Sequence, residues 1–402
     1  MTYQPSRRAV LGFAGAAGAT GAIAAFAGAA GASGRATGDG IPAGLKPGGE
    51  LDRFATDLAA KDQFSGSFLV THRGRPVLAR SYGMANRELS IPNGPDTIFG
   101  LASVTKLLTG VAIGKLAQDR KLAHTDRLGQ HVSGFPSEIA ETVSIHHLLT
   151  HTSGLGDFMQ TRAYQDAQQS WTAEQAVRDG CTDIIRQSTL AFPPGSRHLY
   201  SNSAYHLLGE IVTNASGQSL SDYLRENVFR RAGMHDSDFY TRTAWHDDRR
   251  IARPYAPPLS GGPRADVLGQ HAFVGTGHTG AFATCAGMAR LARALVGNRL
   301  LTPAFTQLTL GPKIPVGKVI GPPGGGVPTP VPGIGFKTYC GMANLDDANQ
   351  WSYWMDGGST GGESTDYAVY PDQGWVCVVL GNYELGTAQP IAAKARTLIN
   401  GG

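Results

Sequence analysis

The chain has 402 residues, long enough for one large domain or two of ordinary size with a sizeable core. Sparse charge, 54 glycines and 23 prolines, and no internal repeat or heptad argue for many loops and against long repetitive helices. The net charge of +4 falls to +2 without the first 32 residues, which carry Arg7 and Arg8 and no acid; no basic run with interleaved aromatics remains, so nucleic acid is excluded as a partner.

In chain order, residues 1–32 open with Ser6-Arg7-Arg8-Ala9-Val10-Leu11, run through an uncharged Ala/Gly-rich stretch and end on Ala30-Gly31-Ala32, a small-residue cleavage pattern. They resemble a twin-arginine export signal, and the weak apolarity of Ala and Gly argues against a membrane anchor. The expected location is therefore secreted or cell-envelope associated, with no stable membrane insertion after cleavage. A Gly/Pro-rich leader over 33–49 precedes one folded domain expected over 50–400.

Helical spacing covers Leu51 to Ala60, and two strand-like runs follow, Gly66 to Thr71 and Pro76 to Tyr82, joined by the turn-like His72-Arg73-Gly74. Helical periodicity then recurs from Thr105 to Ala117, Ala173 to Gln187, Ala204 to Val212, Leu220 to Arg230 and Met288 to Leu295. Long loops are expected over Arg253 to Gly269 and Gly311 to Gly335, a length that is usually functional or disordered. Three more strands, Ser352 to Met355, Asp366 to Tyr370 and Trp375 to Leu380, lead to a final amphipathic helix, Pro390 to Leu398. Strands at both ends around a helical middle predict an α+β fold with one shared sheet. The four cysteines, Cys181, Cys285, Cys340 and Cys377, form no C-x-x-C pair; export permits disulfides, and Cys377 inside an apolar run reads as a buried thiol.

The chemistry centres on Ser103-Val104-Thr105-Lys106, at a strand-to-helix junction. Residues three apart share a helical face, so the lysine can hydrogen-bond the serine. A serine hydroxyl is a weak nucleophile until a base takes its proton, and a lysine is that base only when its neutral form is accessible. The other eight lysines all lack a serine three positions earlier. Further on, Pro194 to Tyr205 sets Tyr200 and Asn202 at the mouth of a helix, a phenol that can relay a proton beside an amide that both donates and accepts. His147 and His151 are four apart as in a zinc protease, but Leu148 stands where that mechanism needs Glu, so no metal site is expected.

Ser103-Val104-Thr105-Lys106 followed by Tyr200-Ser201-Asn202 resembles the serine β-lactamase and penicillin-binding protein superfamily, and the Tyr-x-Asn form its class C-like branch with related DD-peptidases and esterases. Asp96 to Phe99, Ile145 to Leu155 and Tyr205 to Ile211 resemble the same family, so the likeness runs from about Leu51 to Leu398. It implies a five-stranded antiparallel sheet flanked by terminal helices, a helical subdomain, and an active site in the cleft between them. Ser103, Lys106 and Tyr200 would be catalytic and Asn202 would orient the substrate and the lysine, with no metal or organic cofactor.

The family's third motif, Lys-Thr-Gly or His-x-Gly on a strand, has two candidates. His278-Thr279-Gly280 matches by letter but leads into a helix; Asp356-Gly357-Gly358-Ser359 stands on a strand with two more to follow, and is chosen. Asp356, Gly358 and Ser359 then line the substrate site, with the Ser359 amide paired to that of Ser103 as an oxyanion hole. Asp356 replaces a cation, which disfavours a substrate carboxylate by Coulomb repulsion. The expected substrate is a small molecule or peptide, peptidoglycan-derived fragments included. The reaction is amide or ester hydrolysis of the DD-carboxypeptidase or β-lactamase-like kind. Alternatives are a carboxylesterase, a D-amino-acid amidase, or a penicillin-binding sensor without turnover.

Overall fold

The computed structural model describes residues 40–258, 260–317, 333–359 and 361–401, the side chains of Asp356 and Ser359 excepted. The export signal, residues 33–39 of the leader and most of the second long loop lie outside these residues. From residue 41 onward the chain forms one compact unit.

Seven helices carry the architecture: α1 (Glu50–Ala60), α2 (Thr105–Gln118), α3 (Glu174–Arg186), α4 (Asn202–Ser216), α5 (Cys285–Val296), α6 (Pro303–Leu310) and α7 (Gln389–Ile399). The main strands are β1 (Gly66–His72), β2 (Arg75–Tyr82), β3 (Ile314–Gly317), β4 (Ile334–Lys337), β5 (Met342–Leu345), β6 (Trp351–Ser359), β7 (Glu363–Tyr370) and β8 (Trp375–Gly381). They form one antiparallel sheet in the order β2-β1-β8-β7-β6-β5-β4-β3. First and last strands meet as neighbours, Gly66 opposite Gly381 and His72 opposite Trp375, which is the shared sheet the sequence implied.

The five expected strands are contiguous, and three more extend the sheet beyond β6. They escape the sequence reading because they are short, and because Pro315 in β3 reads as a breaker; proline is tolerated at an edge, where a missing N–H breaks no ladder. The Leu220 to Arg230 helix is interrupted, since Leu220–Leu224 gives way to a π-type turn over Arg225–Phe229. The loop beginning at Arg253 is pinned: Tyr255–Ala256 pairs with Ala265–Asp266, and Arg264 bonds Glu384.

Side chains alternate across the sheet with period two, so each strand feeds two cores. On one face Phe68, Val70, Ala368, Cys377 and Val379 pack with Leu51 and Ala55 of α1 and Ile391 and Ala395 of α7. On the other, Leu69, Tyr367, Val369, Val378 and Leu380 join the larger core of the helical region. All four cysteines are buried and free. Among the described residues no helix is long and apolar enough to cross a membrane.

Candidate active site

The turn that carries Ser103 is built by constraint. Leu101 N donates to Ala281 O at 2.8 Å, and Phe99–Gly100 pairs with Phe282–Ala283. Ala102 then adopts φ +45°, a left-handed conformation that costs a non-glycine residue of order 1 kcal/mol or more. Ser103 follows inside a 3-10 turn, Ala102–Val104, and α2 begins only at Thr105. The serine therefore stands just before the helix, with Lys106 in its first turn. β6 runs alongside: a Cβ on Gly357 would lie 2.7 Å from Ser103 N, so only glycine fits. Thr365 Oγ1 of β7 lies 3.2 Å from Leu101 O and 3.1 Å from Gly357 O, tying turn and strand together.

Lys106 is fully buried. Its Nζ lies 3.1 Å from Ser103 Oγ, 2.8 Å from Asn202 Oδ1 and 2.7 Å from the His278 carbonyl oxygen. Burial holds the amine well below the ordinary lysine value; the Asp157 carboxylate opposes this, and the Lys337 ammonium reinforces it. Asn202 is oriented by Asp157, whose Oδ2 takes Nδ2–H at 2.8 Å and so leaves Oδ1 to face the lysine. Asn202 Oδ1 and His278 O can only accept. A neutral amine has two N–H groups, and once both are taken its lone pair has Ser103 Oγ as the remaining neighbour. In that state the amine can accept a proton from the serine hydroxyl.

Tyr200 OH lies 2.6 Å from Ser103 Oγ, and its ring centroid 4.8 Å from Lys106 Nζ. At 42% exposure it opens the serine toward solvent. Ser201 caps α4, accepting from Ala204 N, which fixes Asn202 as the first helical residue. His151 supports this loop: its Nδ1 accepts from Ser201 N–H at 3.2 Å, and its ring packs 4.7 Å from that of Tyr200. His147 instead caps the short helix Ile145–Leu149.

The structure thus brings Ser103, Lys106, Tyr200 and Asn202 together and lays Gly357 of the third motif against Ser103. Asp356 and Ser359 are described by backbone alone, within β6 opposite Asp366 and Glu363. Gly358 faces elsewhere, its Cβ position 2.6 Å from Leu385 Cδ1. Three contributors escaped the sequence reading. Asp157 is marked only as an acid in the loop after the His-rich stretch, and the His278 contact uses a backbone carbonyl. Lys337 of β4 is buried, and burial pushes its pKa down to about 8. Its Nζ and that of Lys106 stand 5.7 and 5.8 Å from the Tyr205 ring centroid.

Fold and site together define a protein of the serine-hydrolase superfamily that includes penicillin-binding proteins and DD-peptidases. The chain belongs to the Beta-lactamase family, which residues 51–400 match. It is 33% identical over 188 residues to Penicillin-binding protein 4* of Bacillus subtilis, covering 46% of this chain and 40% of that protein. It is 33% identical over 196 residues to Esterase EstB of Burkholderia gladioli, covering 46% and 49%. The chain thus spans about half or less of these curated relatives. A crystal structure of a penicillin binding protein from Bacillus halodurans superposes with TM-score 0.72 at 27% identity, over 86% of this chain and 98% of that one.

Proposed function

We propose that the chain is an exported serine hydrolase of the class C-like branch, acting through an acyl-enzyme on amide or ester bonds. The observation that carries this reading is the buried Lys106 amine, held by two obligate acceptors with Ser103 Oγ as its third neighbour. Neutral Lys106 takes the Ser103 proton as Oγ attacks the carbonyl carbon. Tyr200 OH relays a proton to the leaving group, and the acyl-enzyme is released by a water activated beside Tyr200. The Ser103 and Ser359 amides serve the oxyanion. Ser6 to Leu11 and Ala30 to Ala32 support export, with the domain over 50–400 as the mature part.

DD-carboxypeptidase or β-lactamase-like hydrolysis is the first substrate reading. Asp356 favours a second, an esterase or D-amino-acid amidase whose substrates lack a carboxylate. The test incubates the mature protein and Ser103→Ala with a fluorescent penicillin and with p-nitrophenyl esters, following mass and turnover. Labelling of wild type but not S103A, with release, is expected; labelling without release identifies a sensor, and no reaction with either reagent refutes the hydrolase. Asp356→His is expected to increase reaction with carboxylate-bearing substrates, and no increase refutes the role given to that position.

A further inference from the structure

His278 meets Lys106 through its backbone, the carbonyl taking the amine N–H at 2.7 Å. Its imidazole is anchored separately. His278 Nδ1 lies 2.8 Å from Thr276 Oγ1, Thr276 Oγ1 lies 3.0 Å from His206 Nδ1, and His206 Nε2 lies 2.9 Å from Thr182 Oγ1. Thr182, His206, Thr276 and His278 are all buried. The chain of bonds runs from α3, which carries Thr182, through α4, which carries His206, to the segment facing the base. That segment lies flat on α4, since a Cβ on Gly277 would stand 2.2 Å from Tyr205 O. It is tied to α2 as well, Ala281 N donating to Thr105 Oγ1 at 3.0 Å.

Burial keeps both imidazoles neutral, with His206 pushed down to about 4. A neutral imidazole offers one donor and one acceptor, and a threonine hydroxyl one donor, so the three bonds can all be made with the protons running in a single direction. Among the described residues His278 Nε2 is buried without a partner, but the three bonds tie the His278 ring through Thr276 to α4 and α3, and bonds of this kind in a buried setting restrict what they hold. Apolar side chains would fill the same volume without fixing the orientation of the 278 carbonyl.

We infer that Thr276, held between His206 and His278, is a positioning residue for the Lys106 base: it fixes the His278 carbonyl that occupies one amine N–H and so confines the lone pair to Ser103. This rests on Lys106 acting as the base. Thr276→Val keeps the shape and removes both bonds, whereas Thr276→Ser keeps the hydroxyl. Single-turnover acylation by p-nitrophenyl acetate is measured alongside steady-state KM and thermal melting. T276V is expected to slow acylation by about 10- to 100-fold with KM within about twofold, the size of effect that follows a misplacement near 1 Å, and T276S to recover within about threefold of wild type. Where T276V does not fold, Thr182→Val, which breaks only the terminal bond, is expected to slow acylation by about threefold or more at unchanged KM. A folded T276V that acylates at the wild-type rate overturns the inference, as does an equal loss in T276S, or a T182V at the wild-type rate where T276V does not fold. A wild type that the ester never acylates overturns the base reading itself, and this inference with it.

Discussion

A methyl group on residue 357 tests how rigidly β6 holds Ser103, the proposed nucleophile. Built on the backbone, it would stand 2.7 Å from Ser103 N, 2.9 Å from Thr365 Oγ1 and 3.0 Å from Val104 N. Non-bonded contacts to carbon settle at about 3.5 Å or beyond, so relief requires strand and turn to part by about 0.8 Å. Two of the obstacles are backbone and cannot rotate away; the third is a hydroxyl already bonded to Leu101 O and Gly357 O. Overpacking of this kind costs about 1–3 kcal/mol, while a nucleophile displaced by nearly 1 Å loses on the order of 100-fold in rate. Gly357→Ala is therefore expected to fold with a Tm several degrees lower and to acylate far more slowly than its stability loss explains. Gly114→Ala, on α2, is the stability control, since its Cβ would meet Thr309 Oγ1 at 2.8 Å, away from the serine. Burst kinetics with a p-nitrophenyl ester and thermal melts of both variants decide the matter. Acylation by G357A within about threefold of wild type refutes the close-approach argument.

Lys337→Met removes a cation that favours neutral Lys106, so the acidic limb of kcat/KM moves to higher pH; wild type and variant converge above about pH 8, where Lys337 itself loses its proton, and an unmoved limb refutes the coupling. The same residue makes stability pH-dependent. Its folded pKa of about 8 lies below the ordinary 10.5, so the unfolded chain binds more protons between these values and wild-type Tm gains a contribution as pH rises through that window. K337M lacks that contribution; identical pH–Tm slopes in calorimetry would falsify the burial argument. Asp157→Asn withdraws a carboxylate that favours the Lys106 ammonium, so the limb moves to lower pH, opposite in sign to K337M, while kcat falls because Asn202 loses its charged orienting partner. A limb that moves upward, or an unchanged kcat, removes Asp157 from the site.

What was legible in the sequence depended on how local the determinant was. Ser103 and Lys106 are one turn apart, so their contact follows from spacing alone. Tyr200 and Asn202 meet them across about a hundred residues, and only the family resemblance joined the two stretches. The lysine's third acceptor is a carbonyl, and a peptide bond carries no residue identity to read. Lys337 is hidden for another reason: in Ile334-Gly335-Phe336-Lys337 nothing marks the lysine as buried, since its surroundings come from Tyr205 on α4 and Gly341 on the following turn. The positive φ of Ala102 is equally silent, because alanine gives no left-handed signal; the conformation is imposed by Ala281 on one side and Thr365 on the other.

The placement of Asp157 bears on how an amine can be buried here without a counter-ion in direct contact, as the proposed base requires. A buried lysine is commonly stabilised by a carboxylate in direct contact, but an opposite charge at that distance raises the lysine pKa and keeps it protonated. Here the acid is one residue removed. Asp157 bonds the amide nitrogen of Asn202, and the amide oxygen faces Lys106. The asparagine passes on the orientation that a carboxylate gives while interposing a neutral group between the charges. With Lys337 near the Tyr205 ring as well, the nearest ionic influences on Lys106 oppose each other, and burial, the largest influence, sets the downward direction of its pKa. The fold therefore tolerates a destabilising buried lysine because three rigid elements, α2, α4 and the Thr276–Ala281 segment, close on it with neutral acceptors rather than with a counter-ion.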